Sequence, residues 1–142
     1  MTEPVIRGLS HIAIAVTSFA CIEKWLSFFP VEKITKYSSE EQRVNAVVVH
    51  LEDFDIEFLE PTTESSSISG FLEKNPRGGL HHVCFYVDNL KSSLSRVKKE
   101  GVRSITLRKA LGVIHDSPIA FLNPKDLSGV LVEFEELGKD EF

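Results

Sequence analysis

Cysteine is scarce in this chain of 142 residues: there are two, Cys21 and Cys84, with no Cys-x-x-Cys pair. That excludes a disulfide framework and suits two reduced, buried thiols of an intracellular protein. Long apolar runs are missing as well. No stretch is long enough to cross a bilayer, and Glu3 and Pro4 stand where a secretory signal would place its apolar core. The expectation is a cytoplasmic protein with no membrane partner. Positive charge is in deficit, with 16 Lys and Arg against 21 Asp and Glu, a net charge of −5. A nucleic-acid partner would want the opposite balance, so none is expected. There is no low-complexity segment, no Gly-x-Gly-x-x-Gly fingerprint and no P-loop.

What is present is said twice. Leu9-Ser10-His11-Ile12-Ala13-Ile14-Ala15-Val16 is echoed by Leu80-His81-His82-Val83-Cys84-Phe85-Tyr86-Val87. Each copy is followed by an acidic strand, Asp55-Ile56-Glu57-Phe58-Leu59-Glu60 in the first and Leu131-Val132-Glu133-Phe134-Glu135 in the second. The two histidines are 71 positions apart and the two glutamates 76. One His and one Glu per copy is what a metal site shared between two half-folds needs. Two neutral imidazoles and two carboxylates suit a divalent transition metal.

The length predicts one domain, and both halves read βαβββ. In the first, the strand at 9–16 leads into a helix capped by Ser18, with Ile22, Trp25, Leu26 and Phe29 as its buried stripe and Pro30 as its stop. Strands at about 31–37, 43–51 and 54–60 follow. In the second, the strand at 82–87 precedes a helix capped by Asp88 or Asn89, with Leu90, Leu94 and Val97 inward and Gly101 at its C′ position. Strands at about 103–108, 118–122 and 129–136 complete it. The modules span about 8–60 and 79–137, and the connector 61–78 holds a short amphipathic helix on Ile68, Phe71 and Leu72.

Alternation then decides which side chains share a face. Ile12, Ile14 and Val16 oppose His11, Ala13 and Ala15; Val83, Phe85 and Val87 oppose His82, Cys84 and Tyr86. Glu57 sits between Ile56 and Phe58, and Glu133 between Val132 and Phe134. All four candidate ligands are thus predicted on the concave side of a curved sheet. Buried acids are costly unless something positive compensates, and a divalent cation would. Of the other histidines, His50 reads as structural or exposed and His81 as packed on the opposite face from His82. His115 stands in a loop beside Asp116, from which it could reach a ligand.

These segments resemble the vicinal oxygen chelate superfamily of glyoxalase and bleomycin-resistance proteins, and within it the methylmalonyl-CoA epimerases. Further motifs carry the resemblance: Ile68-Ser69-Gly70-Phe71-Leu72-Glu73-Lys74-Asn75, Gly79-Leu80-His81-His82-Val83, and Phe121-Leu122-Asn123-Pro124-Lys125-Asp126 with Gly129-Val130-Leu131-Val132-Glu133. The resemblance covers nearly the whole chain. It implies an α+β fold in which two paired βαβββ modules form an eight-stranded cup-shaped sheet. It implies His11, Glu57, His82 and Glu133 as ligands of a divalent ion (cobalt, manganese, nickel or zinc), with Gln or Glu allowed at the second position. It implies a metal-dependent isomerase acting on methylmalonyl-CoA or a related acyl-CoA through a metal-stabilised enolate, in a homodimer. On that reading Glu133 also transfers a proton, and Lys125 and His115 are candidates for binding the substrate.

The chain departs from the family pattern at four places. Ala46 stands where some epimerases carry a carboxylate base. Phe28-Phe29-Pro30 replaces the Leu-Gly that usually ends the first helix, and Asn123 replaces the His of His-Pro-Lys. Ala110-Leu111-Gly112-Val113-Ile114-His115-Asp116-Ser117 replaces a Gly-rich loop. Two other readings stay open here. Glyoxalase I chemistry on a glutathione hemithioacetal uses the same kind of ligand set, and a non-catalytic small-molecule binder of this fold needs no metal.

Overall fold

β-Branched and aliphatic residues on alternate positions make Ile6–Ala15 a strand, β1, and the same logic recurs seventy residues on in β5, Gly79–Val87. The structure is a computed structural model describing residues 4–105, 110–111 and 117–137. After β1 come a 3₁₀ turn at Phe19–Ile22, the short helix α1 (Glu23–Leu26), β2 (Ile34–Ser39), β3 (Val44–His50), β4 (Asp55–Pro61) and the connector helix α2 (Ser69–Lys74). After β5 come α3 (Leu90–Lys99), β6 (Ala110–Leu111), β7 (Pro118–Leu122), a 3₁₀ turn at Pro124–Asp126 and β8 (Val132–Glu136).

The two halves repeat one strand order. The first is β2-β3-β4-β1 and the second β6-β7-β8-β5. In each, the first strand pairs parallel with the last while the remaining pairs are antiparallel. The parallel pair requires the crossover that the helix supplies. The chain separates into two compact units, one of them His11–His81, the other joining the residues before it to those after it. The division falls inside β1 and β5, not at the edges of the sequence modules.

Each unit has its own core on the helix side of its strands. In the first, Ile22, Val47, Val49, Ile56 and Phe58 pack with Ile12, Ile14, Leu26 and Phe29. In the second, Val87, Leu122, Val132 and Phe134 pack with Val83, Phe85, Leu90, Leu94 and Val97. Phe58 and Phe134 follow Glu57 and Glu133 directly, so burying the ring on one face sends the carboxylate to the other. Phe58→Ala or Phe134→Ala is expected to cost about 3–5 kcal/mol, read from denaturant midpoints at unchanged m.

Three sequence expectations need correction. The first helix opens with a 3₁₀ turn, and its α part is one turn long. The tighter winding rotates later positions, so Ile22 is buried but Trp25 is 44% exposed, its ring tilted on Phe58 at 5.6 Å. The same turn leaves Cys21 exposed, whereas Cys84 is buried as expected. Of the strand expected at 103–108, the described part forms an isolated bridge, Ser104 to Leu122; positions 106–109 lie outside the described residues. The cap expectations hold, since Ser18 accepts from the Ala20 N–H and Asn89 from the Ser92 N–H.

One glycine is fixed by close approach. Gly78 has φ +77, and a Cβ built there would stand 2.3 Å from the Ala15 carbonyl oxygen. The turn into β5 therefore lies against the backbone of β1. Gly78→Ala combines a strained φ worth about 1–3 kcal/mol with that clash, and a lowered melting temperature is expected even though no side-chain contact is removed.

Candidate functional site

Strand register places the four candidate ligands. Across β1 and β4, His11 faces Asp55 and Ala13 faces Glu57. The His11 ring reaches forward to the next residue on the same face, two positions along β4, and its Nε2 lies 2.8 Å from a Glu57 carboxylate oxygen. Across β5 and β8, Cys84 faces Glu133, and His82 reaches forward in the same way, with Nε2 3.0 Å from a Glu133 oxygen. Both pairs are buried: Glu57 is 2% and Glu133 3% exposed. Each unit thus holds one imidazole nitrogen and one carboxylate oxygen at hydrogen-bond distance, built by the same register.

Small neighbours, Ala13 and Ala15, complete the His11 face of β1, and both are buried. His82 is steered by Phe121 of β7, whose ring meets the imidazole edge-on at 5.3 Å and 90°. Phe121 also faces Glu133 across the β7–β8 pair. Among the described residues, no Lys or Arg bonds the Glu57 carboxylate. A buried carboxylate with only a neighbouring imidazole to meet its charge is a strong candidate ligand. The donor set of both pairs fits a divalent transition ion, which takes neutral imidazole nitrogen and carboxylate oxygen.

A second carboxylate holds each frame. Glu60 accepts from the Phe19 N–H at 2.9 Å, and Glu136 accepts from the Leu90 N–H at 2.9 Å. Each stands three residues beyond its unit's candidate ligand and accepts from the first N–H of the helical turn that follows the unit's first strand, where negative charge is favoured. Beside them, the Val16 N–H donates to the Leu59 carbonyl at 2.8 Å, and the Leu137 N–H to the Val87 carbonyl at 2.9 Å. These bonds lock the parallel pairs on which the His–Glu register depends. The repetition of Glu at the third position after each candidate ligand is the sequence signal for them.

Other polar residues gather nearby. Glu135 is buried on the face of Glu133 and accepts from the Ser10 hydroxyl at 2.9 Å. His50 lies 3.1 Å from Asp55 through Nδ1 and 2.9 Å from the Thr35 hydroxyl through Nε2. Pairing in β3–β4 and β1–β4 puts His50, Asp55 and His11 in one row. His81 is packed, with the Phe71 ring edge-on at 5.1 Å. Lys125 stands exposed on the 3₁₀ turn, where its backbone N–H donates to the Asn123 side chain at 2.9 Å. Asn123 therefore caps this turn. His115 lies outside the described residues. Each expected His is brought to its Glu, while Lys125 belongs to a surface turn.

A profile of the Glyoxalase/Bleomycin resistance protein/Dioxygenase superfamily matches residues 10–121. The chain is 40% identical over 133 residues to the mitochondrial methylmalonyl-CoA epimerase of Mus musculus, covering 90% of this chain and 72% of that protein. It is 35% identical over 134 residues to the ethylmalonyl-CoA/methylmalonyl-CoA epimerase of Cereibacter sphaeroides, covering 94% of this chain and all (100%) of that one. Among solved structures, a methylmalonyl-CoA epimerase in complex with methylmalonyl-CoA and NH4+ superposes with a TM-score of 0.82 at 29% identity, over 96% of this chain and 97% of the other.

Proposed function

The chain belongs to the glyoxalase/bleomycin resistance protein/dioxygenase superfamily and has its α+β fold, and from that premise we propose that it is an isomerase that epimerises methylmalonyl-CoA or a closely related 2-substituted acyl-CoA. The observation that carries the reading is the buried His–Glu pair built identically into both units, in a chain whose relatives, one of them matched over its full length, are named as such epimerases. His11, Glu57, His82 and Glu133 together would hold one divalent ion. When bound, that ion supplies Lewis-acid polarisation to the substrate's carbonyl and carboxylate oxygens.

The residues of the chain do the rest. The hydrogen at C2 lies α to a carbonyl, so its removal leaves an enolate, and returning a proton to the other face inverts the centre. Glu133 is the proposed carrier on one face: its carboxylate is buried beside His82, and a carboxylate held in place is a suitable proton acceptor and donor. Phe121 stands edge-on against His82 at 5.3 Å, and Ala13 and Ala15 are the small side chains on the His11 face of β1. The proposed cellular form is a cytoplasmic homodimer. No helix among the described residues is long and apolar enough to cross a membrane.

The test is solvent exchange. Protein loaded in turn with cobalt, manganese, nickel and zinc is incubated with methylmalonyl-CoA in deuterated water. The expected result is deuterium at C2 and equilibration of the two epimers. No exchange with any of the four metals would defeat the proposal, and lactoylglutathione formation from the glutathione hemithioacetal would favour glyoxalase chemistry instead.

A further inference from the structure

Away from the His–Glu pairs, α3 and the segment that follows it enclose a cleft of about 530 Å³, within the size range of small-molecule sites. Lys91, Leu94, Ser95 and Lys98 line one wall, and Val102 and Arg103 the other. Lys91, Leu94 or Ser95, and Lys98 follow helical spacing, so they stand on one face of α3. The two lysines are two turns apart, roughly 10 Å along the axis. Leu94 and Val102 also belong to the apolar cluster beneath, so the floor between the lysines is aliphatic.

The charge here runs against the rest of the molecule. The chain carries −5 overall, yet α3 has four basic residues and no acid. The acids flanking these elements are already engaged, Asp88 with Arg7 at 3.6 Å. Glu100 bonds Arg96 at 3.0 Å, and Asp126 clamps Arg103 with two side-chain bonds at 3.0 and 3.1 Å and a third, at 2.9 Å, from the Arg103 backbone N–H. Those side-chain bonds first, and the backbone N–H second, hold the Asp126 carboxyl below the usual carboxylate range. The clamp fixes the second wall of the cleft. Among the described residues, no carboxylate bonds Lys91 or Lys98. Two uncompensated ammonium groups over an apolar floor are matched by a ligand with two separated phosphates and a flat apolar body.

We propose that this cleft binds a nucleotide carrying phosphates at two positions, with Lys91 and Lys98 each meeting a phosphate and the base lying on Leu94 and Val102. Such chemistry has two sources: the nucleotide end of an acyl-CoA, if the epimerase reading holds, or a free nucleotide. Binding is independent of that reading and is tested first. Adenosine 3′,5′-bisphosphate is titrated calorimetrically into the wild type, Lys91→Gln/Lys98→Gln and Lys91→Arg/Lys98→Arg, with adenosine as the uncharged control.

One saturable site per chain is expected, weakened by salt, with affinity about 10-fold or more lower in the Gln pair and retained in the Arg pair. No saturation at millimolar bisphosphate, or equal affinity in the Gln pair and the wild type, overturns the proposal. KM then separates the sources. A rise with methylmalonyl-CoA but not with methylmalonyl-pantetheine in the Gln pair assigns the cleft to the substrate's own nucleotide. Unchanged KM with bisphosphate binding lost assigns it to a free nucleotide. If the protein shows no epimerase activity, the calorimetric arm still decides.

Discussion

Exhaustive chelation of the purified protein is expected to remove its epimerase activity, and one equivalent of cobalt or manganese to restore it. His82→Ala is expected to lower kcat/KM about 10³-fold even with metal supplied, because a Lewis acid contributes several kcal/mol to this kind of barrier. His11→Ala should match it closely. The two histidines occupy the same place in the repeat and make the same contact with their glutamates, at 2.8 and 3.0 Å. Both side chains are buried, so circular dichroism must first establish that each variant folds. A fully active enzyme after chelation, with metal absent by elemental analysis, would remove the ion from the account.

The second large effect is an asymmetry between the glutamates. Glu57 is proposed as a ligand only, and Gln offers the same carbonyl oxygen to a metal. Glu57→Gln is therefore expected to keep bound metal and to lose no more than about 10-fold in kcat. Glu133 is proposed both to bind the ion and to carry a proton, which Gln cannot do. Glu133→Gln should lose about 10³-fold in kcat and slow C2 hydrogen exchange to a similar degree. Rates of exchange and of epimerisation, measured on the same metal-loaded samples, separate the two roles. Equal losses in the two variants would leave Glu133 as a ligand with no part in proton transfer.

Both His–Glu pairs are legible in the sequence because strand alternation is strict where one face must be apolar. Phe58 and Phe134 can only point into their cores, and that sends Glu57 and Glu133 the other way. The α3 boundaries are legible for a similar reason, with Asn89 capping and Gly101 at φ +87 closing the helix. The first helix is less so. Its apolar stripe is real, but periodicity does not distinguish a 3₁₀ opening from an α one, and the change of winding moves Cys21 and Trp25 outward. The repeat marks Glu60 and Glu136, but their pairing with helix N–H groups depends on tertiary approach across 41 and 46 residues, which the repeat does not specify. The basic face of α3 reads in sequence as an ordinary solvated stripe; only the neighbouring wall at Val102 and Arg103 makes it a cleft.

The central claim is that the two copies of the module share one ion. Metal content per chain, measured by mass spectrometry after saturation with cobalt and removal of excess, tests it most directly. One equivalent is expected in the wild type and a near-complete loss in His11→Ala and in His82→Ala alike, because each variant removes a proposed ligand of the same ion. Two equivalents in the wild type, or one equivalent retained in either folded variant, would mean that the modules bind separately, and would contradict it.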